Sequence, residues 1–301
     1  MHSSPSRPRT TISPKCFLGA LVLSCCSALA ACGSDSSSAE SEPASSETPM
    51  SRADLGCTGA SGPLDSLQAS LADRLYTGLA AVPGGTADPA ALTALVTDVL
   101  DLVDALAAGA GSLAAVRNGG DPSLAAPVYH QLLCVTAGLG ELVLSASLAA
   151  TTPLTELPVL HELLDTLVTV QNSLLLGVRN LPNVANPEQL ATDLGYATQT
   201  LAGVVAGLAT SASILPGGAA SAVLMPVSVL LLDITAAFNA LGNGDTQAFA
   251  QLLLDSVPHL VEGLAQSLGP IGIVLTGVIG LLSPVLDALA GLVGGLLGIL
   301  L

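Results

Sequence analysis

The sequence contains no tryptophan, three tyrosines and three phenylalanines among 301 residues. Strand-rich cores draw on aromatic and β-branched side chains, so this scarcity argues against a sandwich or a barrel. Basic residues are almost as rare. There is one lysine, Lys15, with six arginines, and none of the seven lies beyond Arg179. Binding to nucleic acid requires cations that displace counterions from phosphate. A chain with 23 acids against seven bases does not supply them, and nucleic acid is excluded as a partner.

Sequence signatures of chemistry are also missing. There is no GxSxG elbow, no phosphate-binding GxxxxGK[ST] loop and no GxGxxG fingerprint. His161-Glu162-Leu163-Leu164-Asp165 places His161 and Asp165 four apart, on one helix face. It lacks the second histidine of a zinc-protease helix and reads as a solvated pair. His130 stands four residues before Cys134, and His259 follows Pro258 on a helix surface or in the core. Gly242-Asn243-Gly244-Asp245 reads as a turn followed by a helix cap, with no basic residue near to hold phosphate. No cofactor, metal site or catalytic residue is assigned.

What the sequence does contain is leucine, alanine and valine; half of it is hydrophobic, with 31 glycines and 19 prolines. Leucine and alanine favour helix. The expected fold is all-α, an antiparallel multi-helix bundle whose helices start at prolines. Gly62-Pro63, Asp88-Pro89, Asp121-Pro122, Thr152-Pro153 and Asn186-Pro187 mark the starts. Proline fits the first helical position because its missing N–H would be unpaired there, and Asp, Asn or Thr before it can cap free amides. Pro127, Pro158, Pro226 and Pro258 either delay a helix start or kink a helix.

Behind these starts the leucines keep helical period. Leu64, Leu67, Leu71, Leu75 and Leu79 form one stripe; Leu190, Leu194, Leu201, Val205 and Leu208 form another. Leu92, Leu95, Val96, Val99, Val103 and Leu106 form a third, and Asp98, Asp101 and Asp104 are expected to lean away from it. Pro270 to Leu301 carries one charge, Asp287, and is expected to fold as an apolar hairpin buried in the core. Contact with lipid or with a ligand, and a true membrane span, are the alternatives for that segment, because an all-apolar helix must be covered by something.

The first residues have a separate purpose. Arg7, Arg9 and Lys15 precede a short apolar run at 17–23, too short to span a bilayer. Basic start, apolar middle and small-residue end describe a secretory signal peptide over residues 1–31. Cleavage after Ala28-Leu29-Ala30 would release a plain secreted chain. Leu29-Ala30-Ala31-Cys32, however, resembles the lipobox of bacterial lipoproteins. That resemblance implies cleavage before Cys32, a diacylglycerol on its thiol and acylation of its amine. It further implies the outer membrane, on the periplasmic or the surface face, because Gly33 and Ser34 follow the cysteine rather than the aspartate that signals inner-membrane retention in that family. The Leu/Gly-rich body, as in Gly280-Leu281-Leu282-Ser283-Pro284, also resembles a group of proteobacterial lipoproteins sometimes labelled collagen-like, although no Gly-x-y repeat is present.

Three segments result: signal peptide 1–31, a Ser/Glu-rich disordered tether 32–55, and a helical bundle domain 56–301. After removal of 1–31, four arginines face 23 acids, a net charge near −19. Cys57 and Cys134 remain in the body; outside the cytoplasm an even pair favours a disulfide, with two buried thiols as the alternative. The expected function is that of a lipid-anchored, non-catalytic protein of the cell envelope. It would be structural, partnering an envelope protein, or would hold a hydrophobic ligand between apolar helices. The alternative is an envelope enzyme acting on lipid or cell-wall material through His161.

Overall fold

The computed structural model describes residues 48–57, 62–81, 88–117, 119–149, 158–183, 187–211, 218–268 and 290. The chain divides into two units, Met1–Ser45 and Ser46–Leu301, and every described residue lies in the second. Among the described residues there are eight α-helices and no strand: α1 (Arg52–Leu55), α2 (Asp65–Ala80), α3 (Pro89–Arg117), α4 (Ala126–Ala149), α5 (Pro158–Asn180), α6 (Pro187–Thr210), α7 (Ala219–Gly242) and α8 (Thr246–Ser267). The protein is an all-α multi-helix bundle.

The helix starts follow local chemistry. Pro89 opens α3, and the Asp88 carboxylate accepts from the Ala90 N–H at 2.9 Å. Asp121 accepts from Ser123 N–H at 2.9 Å and starts a 3-10 turn, Pro122–Ala125, that runs into α4. Pro158 and Pro187 open α5 and α6. Asp245 caps α8 through the Ala248 N–H at 2.8 Å, after a turn in which Gly244 holds φ +84°. Pro63 behaves differently from expectation. It sits in a turn closed by the Gly62 N–H on Asp65 at 2.9 Å, and α2 begins two residues later. Thr152-Pro153 and Asn186 lie outside the described residues.

Pro226 and Pro258 lie inside α7 and α8. Each removes one backbone donor from its helix. Pro226 faces Gly263 of α8, where a Cβ would stand 3.0 Å from the Pro226 Cβ. Glycine at 263 lets the two helices close on that ring.

All three leucine stripes are buried in one continuous core that runs from Leu64 to Leu268. Helix α7 packs most extensively on α6 and α8, while α3 touches α2, α4, α6, α7 and α8. Between α6 and α7 the apolar seam holds three hydroxyls. Thr198 and Thr235 share a hydrogen bond of 2.8 Å, and Ser228 donates to the Ala202 carbonyl at 3.1 Å. Buried hydroxyls must be partnered, so these bonds fix which residues of the two helices face each other.

One expectation is sharpened here and one corrected. Asp98, Asp101 and Asp104 lie on the side of α3 turned from its leucine stripe, yet they do not reach solvent; they are 2%, 3% and 2% exposed. Helix α3 is surrounded, so the side turned from its leucine stripe is covered by α1 and α2 rather than by water. Secondly, the last part of the Ser/Glu-rich stretch is folded. Ser51 to Leu55 form a capped helical turn fastened to the body. The expected hairpin at 270–301 lies outside the described residues.

Candidate functional site

The densest polar arrangement lies where the N-terminal segment meets α3, α4 and α5. Ser51 and Asp54 build α1 as a capping box. The Ser51 N–H donates to Asp54 at 3.2 Å, and the Asp54 N–H donates back to the Ser51 hydroxyl at 3.2 Å. The Ser51 hydroxyl bond holds the exposed Asp54 carboxyl below its ordinary range. Gly56, at φ +66°, ends the turn. Immediately after it, Cys57 is bonded to Cys134 of α4. The disulfide expected from the even cysteine pair is present.

Three side chains of the body grip this turn. Gln171 of α5 accepts from the Met50 N–H at 2.7 Å and donates to the Met50 carbonyl at 3.3 Å, as a neighbouring strand would. Glu141 of α4 accepts from the Arg52 N–H at 3.0 Å. Asp98 of α3 binds the Arg52 guanidinium at 2.7 Å. Two glycines of α4 provide the room. A Cβ at Gly138 would lie 2.7 Å from the second Asp98 carboxylate oxygen, and one at Gly140 would lie 2.7 Å from Pro49 Cγ.

Asp98 is the first of a row. Asp101, three residues on, accepts from the Gln68 amide of α2 at 2.7 Å. Asp104, three further, takes the Leu64 N–H on both oxygens at 3.3 Å. The three carboxylates thus fasten α1, the first turn of α2 and the residue just before α2 in sequence to one side of α3. Burial costs Asp98 and Asp104 their ease of ionisation. Desolvation pushes Asp98 up to about 7 in spite of Arg52, with the charges of Asp101 and Glu141 adding to the rise. It pushes Asp104 up to about 7 as well, against the opposing Leu64 N–H. The second oxygen of Asp98 and the Arg52 Nε are buried with no hydrogen-bond partner among the described residues. The ion pair is therefore only half satisfied.

The other candidate groups are simpler. His161 and Asp165 stand 3.6 Å apart with side chains 66% and 64% exposed, the solvated pair expected of their spacing. His130 Nε2 is 3.9 Å from Cys134 Sγ, and that sulfur is already bonded to Cys57. His259 lies on the surface of α8 and binds Asp233 of α7 at 2.9 Å. That hydrogen bond raises its proton affinity, and Asp233, Asp255 and Glu262 add to it by charge. Residues 242–245 form the expected turn and cap. No group of three metal-ligating side chains occurs among the described residues. Cys32 lies outside them.

A cleft of about 250 Å³ opens between α5 and α6, lined by Tyr129, Leu174, Gly177, Asn180, Leu190 and Asp193 among others. Tyr129 forms its floor; burial pushes the phenol up to about 12. Glycine at 177 is required there, because any side chain would collide with the Tyr129 ring.

Sequence reasoning missed the grip on α1, the donors that meet the row on α3 and the Asp233–His259 pair. Only the first left a local trace, Ser51-x-x-Asp54 ahead of a leucine. No protein family matches the chain, and no curated protein or solved structure matches it.

Proposed function

We propose that this chain is a lipid-anchored, non-catalytic protein of the cell envelope, with a helical body that serves as a structural module held on a short acylated tether. Cys32 is the acylated residue, in the outer membrane, on its periplasmic or surface face. Each buried methylene contributes about 0.8 kcal/mol, so two or more acyl chains hold stably where one is marginal.

One observation carries the structural branch of this reading: the chain leaving the anchor is gripped on arrival. Residues 50–57 are held by Gln171, Glu141 and Asp98 and then by a covalent bond to Cys134. A tether that merely kept the body nearby would need none of this. Between Cys32 and the first gripped residue, Met50, the chain can reach roughly 60 Å when fully extended. The cleft between α5 and α6, at about 250 Å³, is smaller than the roughly 300–1,000 Å³ usual for small-molecule sites. The enzymatic alternative gains nothing from His161, whose partner among the described residues is as exposed as itself.

The test is metabolic labelling with an alkyne analogue of palmitate, followed by membrane fractionation. The wild-type chain should carry label and sediment with outer membrane. Cys32→Ala should lose the label and leave the membrane fraction. An unlabelled wild type, or a Cys32→Ala chain that stays in the membrane, would overturn the reading.

A further inference from the structure

We propose that the cleft between α5 and α6 is a binding site for a primary alkylammonium group, with Asp193 at its mouth and Tyr129 at its floor. The site does not depend on acylation of Cys32. Its failure would leave the anchor standing, and loss of the anchor would leave the site.

The cleft exists because two helices part. Helix α6 packs far less extensively on α5 than on α7, and Tyr129 of α4 closes the bottom of the gap. Gly177 admits the ring, since a Cβ there would collide with it. Tyr129 is 3% exposed, and its phenol has no hydrogen-bond partner among the described residues. A buried tyrosine normally finds a partner for its O–H. Here the residue lines the cleft, so the partner has to enter through it.

Charge selects the kind of group that enters. Asp193 is exposed, and Gln189 donates to one of its oxygens at 2.7 Å. The other oxygen has no donor among the described residues. Burial, and after it the charge of Asp193, holds the Tyr129 phenol protonated well above its ordinary range. A neutral phenol offers its oxygen to an incoming donor. No basic side chain lines the cleft among the described residues, so an anion would meet a carboxylate and no cation. A metal ion would find one carboxylate and no imidazole. A primary ammonium carries three donors and no acceptor: one for the free Asp193 oxygen, one for the phenol oxygen and one for water. Leu174, Leu190 and Ala197 form an apolar wall along which an alkyl stem can lie. At about 250 Å³ the cleft suits a short chain rather than a drug-sized molecule. The net charge of −16 raises the concentration of cations around the chain.

A free alkylamine and the lysine side chain of a partner share this chemistry. The test is nuclear magnetic resonance of the full chain in detergent with ring-labelled tyrosine. The three tyrosines give three sets of signals, and Tyr129→Phe identifies the relevant one. Pentylammonium should shift the Tyr129 signal saturably and leave that of Tyr76, 52% exposed on α2, in place. Pentanol has the same length without the charge and should bind at least about tenfold more weakly. Asp193→Asn should weaken pentylammonium by a similar factor, and because Asp193 is exposed the variant keeps its fold. Asp165→Asn, at an exposed acid of α5 outside the cleft, should bind as the wild type does. Nα-acetyl-lysine N-methylamide should shift the same signal if the group arrives on a lysine; a shift with pentylammonium alone marks a free amine as the ligand. No saturable shift, equal binding by pentanol, or binding that survives Asp193→Asn would overturn the proposal.

Discussion

Helices α3 and α7 are alike in composition and opposite in what they do with it. Both are long and apolar enough to cross a membrane by length and composition, as is the segment Pro122–Ser147. Yet α3 hides three carboxylates, and α7 turns three large apolar side chains outward, with Met225, Val229 and Leu232 at 44%, 44% and 49% exposed. Composition ranks how greasy a helix is; neighbours decide which of its sides can be greasy. Helix α3 has neighbours on every side, and those arriving from the N-terminal segment bring donors: a guanidinium, an amide and a backbone N–H. Helix α7 is packed on α6 and α8, and among the described residues its remaining side carries the exposed Met225, Val229 and Leu232. A helix can therefore carry acid inside and methyl groups outside without breaking any energetic rule, provided the acids find donors.

Four experiments would break or sharpen that contrast. The largest effect is expected from Cys57→Ala with Cys134→Ala. Loss of a bridge between residues 77 apart should cost about 4.5 kcal/mol in urea denaturation, on the chain-entropy model. It should also loosen Arg52 from Asp98. Phe238→Ala, on the fully buried side of α7, should cost about 4 kcal/mol. A loss under about 1 kcal/mol would mean that the inner side of α7 is no better packed than its outer one.

Acidity is the third test. Asp98 and Asp104 have folded values raised to about 7 from 3.8, so between those values the folded chain binds more protons than the unfolded one. Their effect on stability is favourable at low pH and is lost as pH rises from about 4 through 7. Asp98 alone should make the wild type more stable at pH 5 than at pH 8 by about 2 kcal/mol. Asp98→Asn should flatten that difference. The smallest effect is expected at Leu232→Ser, on the outer side of α7: a change within about 0.5 kcal/mol. A larger loss would show that this side is covered in solution.

Whatever depends on neighbours in sequence could be read from it. Asp88-Pro89 and Asp245 announce their helices because cap and amide lie within three residues of each other. The leucine stripes announce their buried sides because one helix period is 3.6 residues. What failed was long-range pairing. Arg52 and Asp98 are 46 residues apart, Leu64 and Asp104 40, and His259 and Asp233 26. Nothing within a helix tells an acid facing water from one facing a donor brought by another helix. The cysteines form the exception, since an even pair in the body has few partners other than each other. The lesson for Asp98, Asp101 and Asp104 is specific. Three acids at helical spacing on an otherwise apolar helix announce a polar side, and only the fold says whether that side is wet.

The sulfur bridge has one mechanical consequence. It joins the chain seven residues after Met50 to the middle of α4. Tension applied at the N-terminus therefore crosses from Cys57 to Cys134 without passing through residues 58–133. Helices α2 and α3 sit in a slack loop, shielded from any load, and the row of carboxylates on α3 is never pulled along its own backbone. A pull on the N-terminal segment must shear α4 from its neighbours once α1 has given way; it cannot unravel the body from α2 onward.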